Sequence, residues 1–249
     1  MKRLIALAVA VSATAFGYAQ MDHQVGAKAG YNHLFLKYDN LLTTSPSTSS
    51  TQELNGGGFV LGGYYNYTPM DDLFLQAELL LSNRMWNEIS TSVYDGQVST
   101  ITQTYTHYTN NYLEIPLLAK YGLNLTKRKY GDKKYLFFYG GTSTHILMST
   151  KGTQQETFRV DASGQKTVTQ NETTLDKGDL KNYFSPFQVS GLAGIQFTFG
   201  FGLNVDFRYQ FMMNPASRVT PEATLASDFS VLKQNLATIT LGYNFLWDY

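Results

Sequence analysis

The end of this chain alternates between two chemistries. Ala237, Ile239, Leu241, Tyr243, Phe245, Trp247 and Tyr249 share one parity; Thr238, Thr240, Gly242, Asn244 and Asp248 hold the other, with Leu246 the one exception. A period of two is the mark of a β-strand with unlike faces. The apolar face becomes more aromatic toward the C-terminus. In a soluble protein such a face needs a second layer to cover it. In a membrane barrel it faces lipid and its rings sit at the interface.

The same parity recurs upstream. With odd residues taken as outward, the pattern runs through Val25–Tyr31, Phe59–Tyr67, Leu73–Leu81, Leu113–Tyr121, Val189–Phe199 and Leu203–Phe211. A further stretch, Tyr135–Thr150, has no assignable parity, and Gly140-Gly141 marks a candidate bulge within it. The links between stretches alternate in length. Residues 69–72, 125–134 and 200–202 are short, whereas 38–56, 90–111, 151–186 and 212–234 are long and polar. Short turns at one end and long loops at the other predict an all-β fold: a closed antiparallel up-and-down transmembrane β-barrel of about eight strands. Ten strands become possible if a loop hairpin enters the membrane. Asp95-Gly96 predicts a hairpin tip in one long link, and Ala162-Ser163-Gly164 a weaker one in another.

Composition narrows the partners. The formal net charge is +0 and there is no cysteine. Neutral charge argues against nucleic acid, and the missing thiols exclude disulfides, thiolate metal sites and a cysteine nucleophile. Tyr 18, Phe 16 and Gly 21 suit a β-rich chain with tight turns. Lys2 and Arg3 precede a short apolar run to Phe16, followed by Gly17-Tyr18-Ala19. This predicts an export signal over residues 1–19, cleaved after Ala19, with the barrel domain occupying 20–249. No segment reads as a spanning helix, so membrane residence requires a barrel.

Tyr112-Leu113-Glu114-Ile115-Pro116-Leu117-Leu118-Ala119-Lys120-Tyr121 resembles a strand of the PorT-like outer-membrane β-barrel family of Bacteroidetes-type bacteria. Gly26–Asn32, Leu75–Leu79 and Gly191–Gly194 resemble other parts of that family. The resemblance spans essentially the whole mature chain. It implies a small barrel in a Gram-negative outer membrane, without fixing a biochemical role.

The inward parity collects Lys28, Glu78, Glu114, Lys120, Asp206 and Arg208, with Arg84 a candidate seventh. A narrow eight-stranded barrel has room for little besides its own side chains, so these charges are expected to pair and fill the lumen. Tyr67, Tyr121, Tyr135, Phe197, Phe199, Trp247 and Tyr249 lie at the short-turn ends of strands and predict an aromatic girdle there. His23, His33, His107 and His145 show no metal-ligand spacing. No catalytic residue, cofactor or metal is expected.

The expected role is a structural or interaction barrel. Its expected partners are outer-membrane lipid, the assembly machinery that inserts it, and proteins met through the long loops. A narrow porin, a lipid-modifying enzyme using His33 at the rim, and a soluble lipocalin-like barrel are the alternatives. The terminal aromatic Tyr249 resembles an assembly signal.

Overall fold

The computed structural model describes residues 23–40, 49–70, 72–94, 100–126, 134–160, 164–167, 172–175, 180, 182–217 and 230–245. The strands are β1 (His23–Asn40), β2 (Ser49–Met70), β3 (Leu73–Tyr94), β4 (Thr100–Asn124), β5 (Tyr135–Val160), β6 (Lys166–Thr167), β7 (Glu172–Thr174), β8 (Phe187–Thr198), β9 (Leu203–Met212) and β10 (Ser230–Asn244). Each of the eight longer strands pairs antiparallel with its neighbours. β4 joins β5, β5 joins β8, and β10 joins β1, so the sheet closes on itself. The short β6 and β7 pair only with β5, outside the ring. The barrel therefore has eight staves. Among the described residues, no helix is long and apolar enough to cross a membrane.

Closure comes with an apolar outer band. Leu79, Leu241 and Phe59 are 58%, 59% and 56% exposed, as are their odd-numbered neighbours to similar degree. Exposed rows of this kind are stable where the surrounding solvent is hydrocarbon. The inward row is buried and mainly polar, the reverse of a soluble lipocalin-like core.

The staves differ in reach. A membrane-crossing strand needs about 9–11 residues. β9 has 10 and β8 has 12, but β3, β4 and β5 have 22, 25 and 26. Much of what the sequence marks as long loops is therefore strand that continues beyond the band. β3 and β4 stay paired up to Tyr94↔Thr100, around a tip at Asp95-Gly96 that lies outside the described residues. β5 pairs with β6 through Arg159↔Thr167 and Val160↔Lys166, and Ala162-Ser163 of the second expected tip lie outside the described residues.

β5 has the opposite parity from the other staves. Tyr121 on β4 pairs with Phe138, and Ile195 on β8 also pairs with Phe138, so even residues of β5 share the outward face. Phe137, Tyr139, Ser143 and His145 accordingly point into the lumen. The candidate bulge at Gly140-Gly141 is a correction, since pairing runs through it without a break. The irregularity lies further along, where Tyr112↔Leu147 is followed by Asn111↔Ser149. Met148 and Ser149 both face outward, and Thr150 returns to the inside. One extra residue thus restores even-inward parity above the bulge.

Pro116 leaves another mark. The β3–β4 ladder runs from Ala77↔Leu117 to Leu80↔Glu114 with no partners assigned between. A proline has no N–H to donate, so the ladder opens at that position.

Candidate functional site

The lumen is built in layers. At the short-turn end, Phe74 and Phe137 meet edge to face at 4.9 Å. Asn204 donates to the Tyr64 hydroxyl at 2.8 Å, and Tyr64 in turn donates to Asn244. Gly26 makes room for that ring, because a Cβ there would collide with the Tyr64 phenol.

Above this lies a four-charge cluster. Lys28 Nζ donates to Glu78 Oε1 at 2.5 Å and to Asp206 Oδ2 at 3.1 Å. Arg208 grips both oxygens of Glu78 at 2.9 Å each and reaches Asp206 at 3.2 Å. The Tyr139 hydroxyl donates to Asp206 as well. Gly194 permits this, since a Cβ would strike both the Tyr139 hydroxyl and the backbone oxygen of Phe207. The two-pronged grip of Arg208 on Glu78 is the geometry in which guanidinium and carboxylate bind most strongly.

Lys120 is held by carboxamides. Its ammonium donates to Gln76 and Gln196, each at 2.5 Å, with no carboxylate in contact among the described residues. It lies over the Phe137 ring at 5.1 Å. Glu114 is separate from the lower cluster. It pairs with Arg84 at 2.8 Å, one layer higher, and the Arg84 guanidinium sits over Tyr112 at 4.2 Å. The six inward charges therefore form a lower group of four, with Lys120 joined to it through Gln76, which donates to Glu78, and a separate upper pair of Glu114 with Arg84.

His145 completes the upper layer. Sequence parity could not place it, because β5 runs out of phase with its neighbours. Its Nε2 lies 2.8 Å from Ser190 Oγ, and its Nδ1 lies 3.3 Å from Glu114 Oε1. Serine, histidine and carboxylate in that order suggest a nucleophilic triad. The tautomer argues against one. Arg84 Nη2 lies 2.8 Å from Nδ1, closer than Glu114, and an arginine can only donate. In the tautomer that keeps the shorter Arg84 contact, Nδ1 accepts and Nε2 carries the hydrogen. The chain of donors runs from Arg84 through His145 and Ser190 to Gln210 Oε1 at 3.3 Å. A general base needs the opposite arrangement at Nε2.

An apolar cap roofs this layer. Leu34, Trp86, Leu232 and Leu236 from the staves pack with Leu180, Phe184 and Ala216 from the long connections. Phe184 meets Trp86 and Tyr108 edge-on, both at 5.7 Å. Ser185 N donates to Ala216 O at 2.7 Å and Leu147 N to Pro186 O at 2.9 Å, tying the cap to the wall. Nothing in the sequence parity marks the cap, because its inserted residues lie between strands.

The remaining histidines are dispersed. His33 faces outward with its ring against Phe35 at 4.6 Å, in a shallow groove of about 510 Å³ beside Tyr31, Ala193 and Tyr209. His23 stacks on Tyr65 and Tyr67 at the lower rim. His107 bonds to Asn87 at 2.6 Å above the band.

Of the expected girdle, Tyr67 and Tyr121 are exposed, and Phe197 and Phe199 are half-buried on the outer face. Tyr135 is a correction. It pairs with lumen-facing Thr198 and stacks on Phe137 at 5.5 Å, because the β4–β5 register turns odd residues of β5 inward. Trp247 and Tyr249 lie outside the described residues. Tyr65, Tyr243 and Phe245 add rings at this end that the sequence reading did not assign to the girdle.

A model of the outer membrane protein beta-barrel domain family matches residues 18–217. No curated protein matches the chain. Among solved structures, Ail, the attachment invasion locus protein of Yersinia pestis, is similar at 13% identity and TM-score 0.34, over 90% of this chain and 100% of that one. The outer membrane protein OprG of Pseudomonas aeruginosa is similar at 10% identity and TM-score 0.42, over 91% and 98%. The translocator domain of the autotransporter NalP from Neisseria meningitidis is similar at 8% identity and TM-score 0.27, over 99% and 96%.

Proposed function

The chain belongs to the outer membrane protein β-barrel domain family, and from that premise we propose that it is a closed barrel whose work is structural or interactive. It is an outer-membrane β-barrel protein. The short turns face the periplasm in this reading, and the tall β2–β5 wall stands outside the cell. Partners are met through that wall and the loops it carries, while lipid surrounds the band.

The observation that carries the reading is the filled lumen. Side chains cross it at the level of Glu78 and Arg208, and again at Arg84 and Glu114, and the Phe184 cap lies above both. A water column has no clear path through layers of this kind. The paired charges hold the staves together, since removing one partner of a buried pair costs about 3–5 kcal/mol. Catalysis is not part of the proposal, because Arg84 lies closer to His145 Nδ1 than Glu114 does.

Finer points belong to the same reading. Residues 1–19 act as an export signal, so the mature chain begins at Gln20, and the family match from residue 18 lies beside that boundary. The Tyr112–Tyr121 strand supports a PorT-like relationship within the family. Planar-bilayer recording tests the core claim. The purified barrel is expected to show no steady conductance, and reproducible unitary steps would favour a narrow porin instead.

A further inference from the structure

We propose that the upper lumen is a binding site for an apolar carboxylate, occupied in this structure by the protein's own Phe184. The floor of the site spans the barrel. Arg84 Nη1 donates to Gln188 Oε1 at 3.1 Å and to Gln234 Oε1 at 3.4 Å, so side chains from β3, β8 and β10 meet across the lumen. Each carboxamide must turn its oxygen to the guanidinium, which leaves its NH2 over. Gln188 Nε2, Gln234 Nε2 and Arg84 Nε have no partner among the described residues, although all three residues are 0% exposed. Trp86 Nε1, one inward position above Arg84, is a fourth buried atom without a partner. All four are N–H donors. Each such orphan costs about 1–3 kcal/mol, so this layer is short of acceptors.

A bound monocarboxylate would supply two oxygens with lone pairs for the orphan donors.

The walls call for an apolar tail. Apolar Leu34, Trp86, Leu232 and Leu236 surround the floor, with Leu232 and Leu236 on either side of Gln234 along β10. The group filling this cup comes from a connection and not from a stave. Phe184 inserts edge-on against Trp86 and Tyr108, as the tail of a ligand could. Displacing a side chain held by a connection leaves the sheet ladders intact.

Carbon-13 NMR with [1-13C]octanoate and the full barrel in lipid nanodiscs tests this, with empty nanodiscs as the background. Octanoate is expected to bind saturably, and at least about tenfold more tightly than octanol, which has the tail without the carboxylate. Acetate, which lacks the tail, should bind more weakly as well. Gln188→Leu and Gln234→Leu should each weaken octanoate about tenfold, and Phe184→Ala should strengthen it by vacating the cup. Equal binding of octanoate and octanol would overturn the proposal. So would unchanged affinity in both glutamine variants, or no saturable binding to either wild type or Phe184→Ala, which would leave ordered water as the partner of the donors. The comparison of probes on wild-type protein decides the matter even if a glutamine variant fails to fold.

Discussion

Replacing Glu78 with leucine tests whether charge balance holds the lower lumen. Its carboxylate accepts from Lys28 at 2.5 Å and from two Arg208 nitrogens at 2.9 Å, and its side chain is 0% exposed. Without it, two cations share Asp206, which they already reach at 3.1 and 3.2 Å. Leaving a buried charge without its partner costs about 3–5 kcal/mol. In Glu78→Leu/Arg208→Leu the cation leaves together with the anion, and the Lys28–Asp206 pair remains. The double variant should therefore be more stable than the sum of the two singles predicts, with a coupling of about 2–3 kcal/mol. Urea titration of barrels folded into lipid vesicles measures this, read by fluorescence and by the mobility of unheated samples on gels. A coupling near zero would refute the reasoning, because it would mean that Glu78 and Arg208 do not depend on each other. Full stability of Glu78→Leu would refute it more directly.

Leu241 lies mid-band on β10, so Leu241→Arg should cost about 2–4 kcal/mol, whereas Asn235→Arg near the outer rim should cost about 1 or less, by the same titration. Gly194→Val drives a branched side chain into Tyr139 and the Phe207 carbonyl. It should cost about 3 kcal/mol, and it should lose that penalty in part when combined with Tyr139→Leu. Deleting Trp247–Tyr249 should reduce the membrane-inserted fraction more than trimming residues 161–165, measured by fractionation and gel mobility; equal yields would remove the assembly role from the terminal aromatic.

The period of two made the barrel legible in the sequence. A strand with one oily and one polar face, repeated between alternately short and long links, has few ways to satisfy its backbone in lipid. The odd-outward rule puts Lys28, Glu78, Asp206 and Arg208 on one face, and in the structure these four side chains converge. It fails on β5 because parity along one strand says nothing of its offset from the next. That offset turns Tyr135 inward and brings His145 to Arg84 and Glu114.

Alternation also has no reach beyond the strands. It reports which face a residue takes, but not which residues meet across a lumen or which connection folds back into it. Lys120 joined to Glu78 through Gln76, Arg84 bridging Gln188 and Gln234, and Phe184 closing the mouth all join residues far apart in the chain. The sequence alone determined the solvent of each face, since that depends on local chemistry repeated every second residue. Only the tertiary structure decided the partners, because register and closure fix the distances over which charges and hydrogen bonds act.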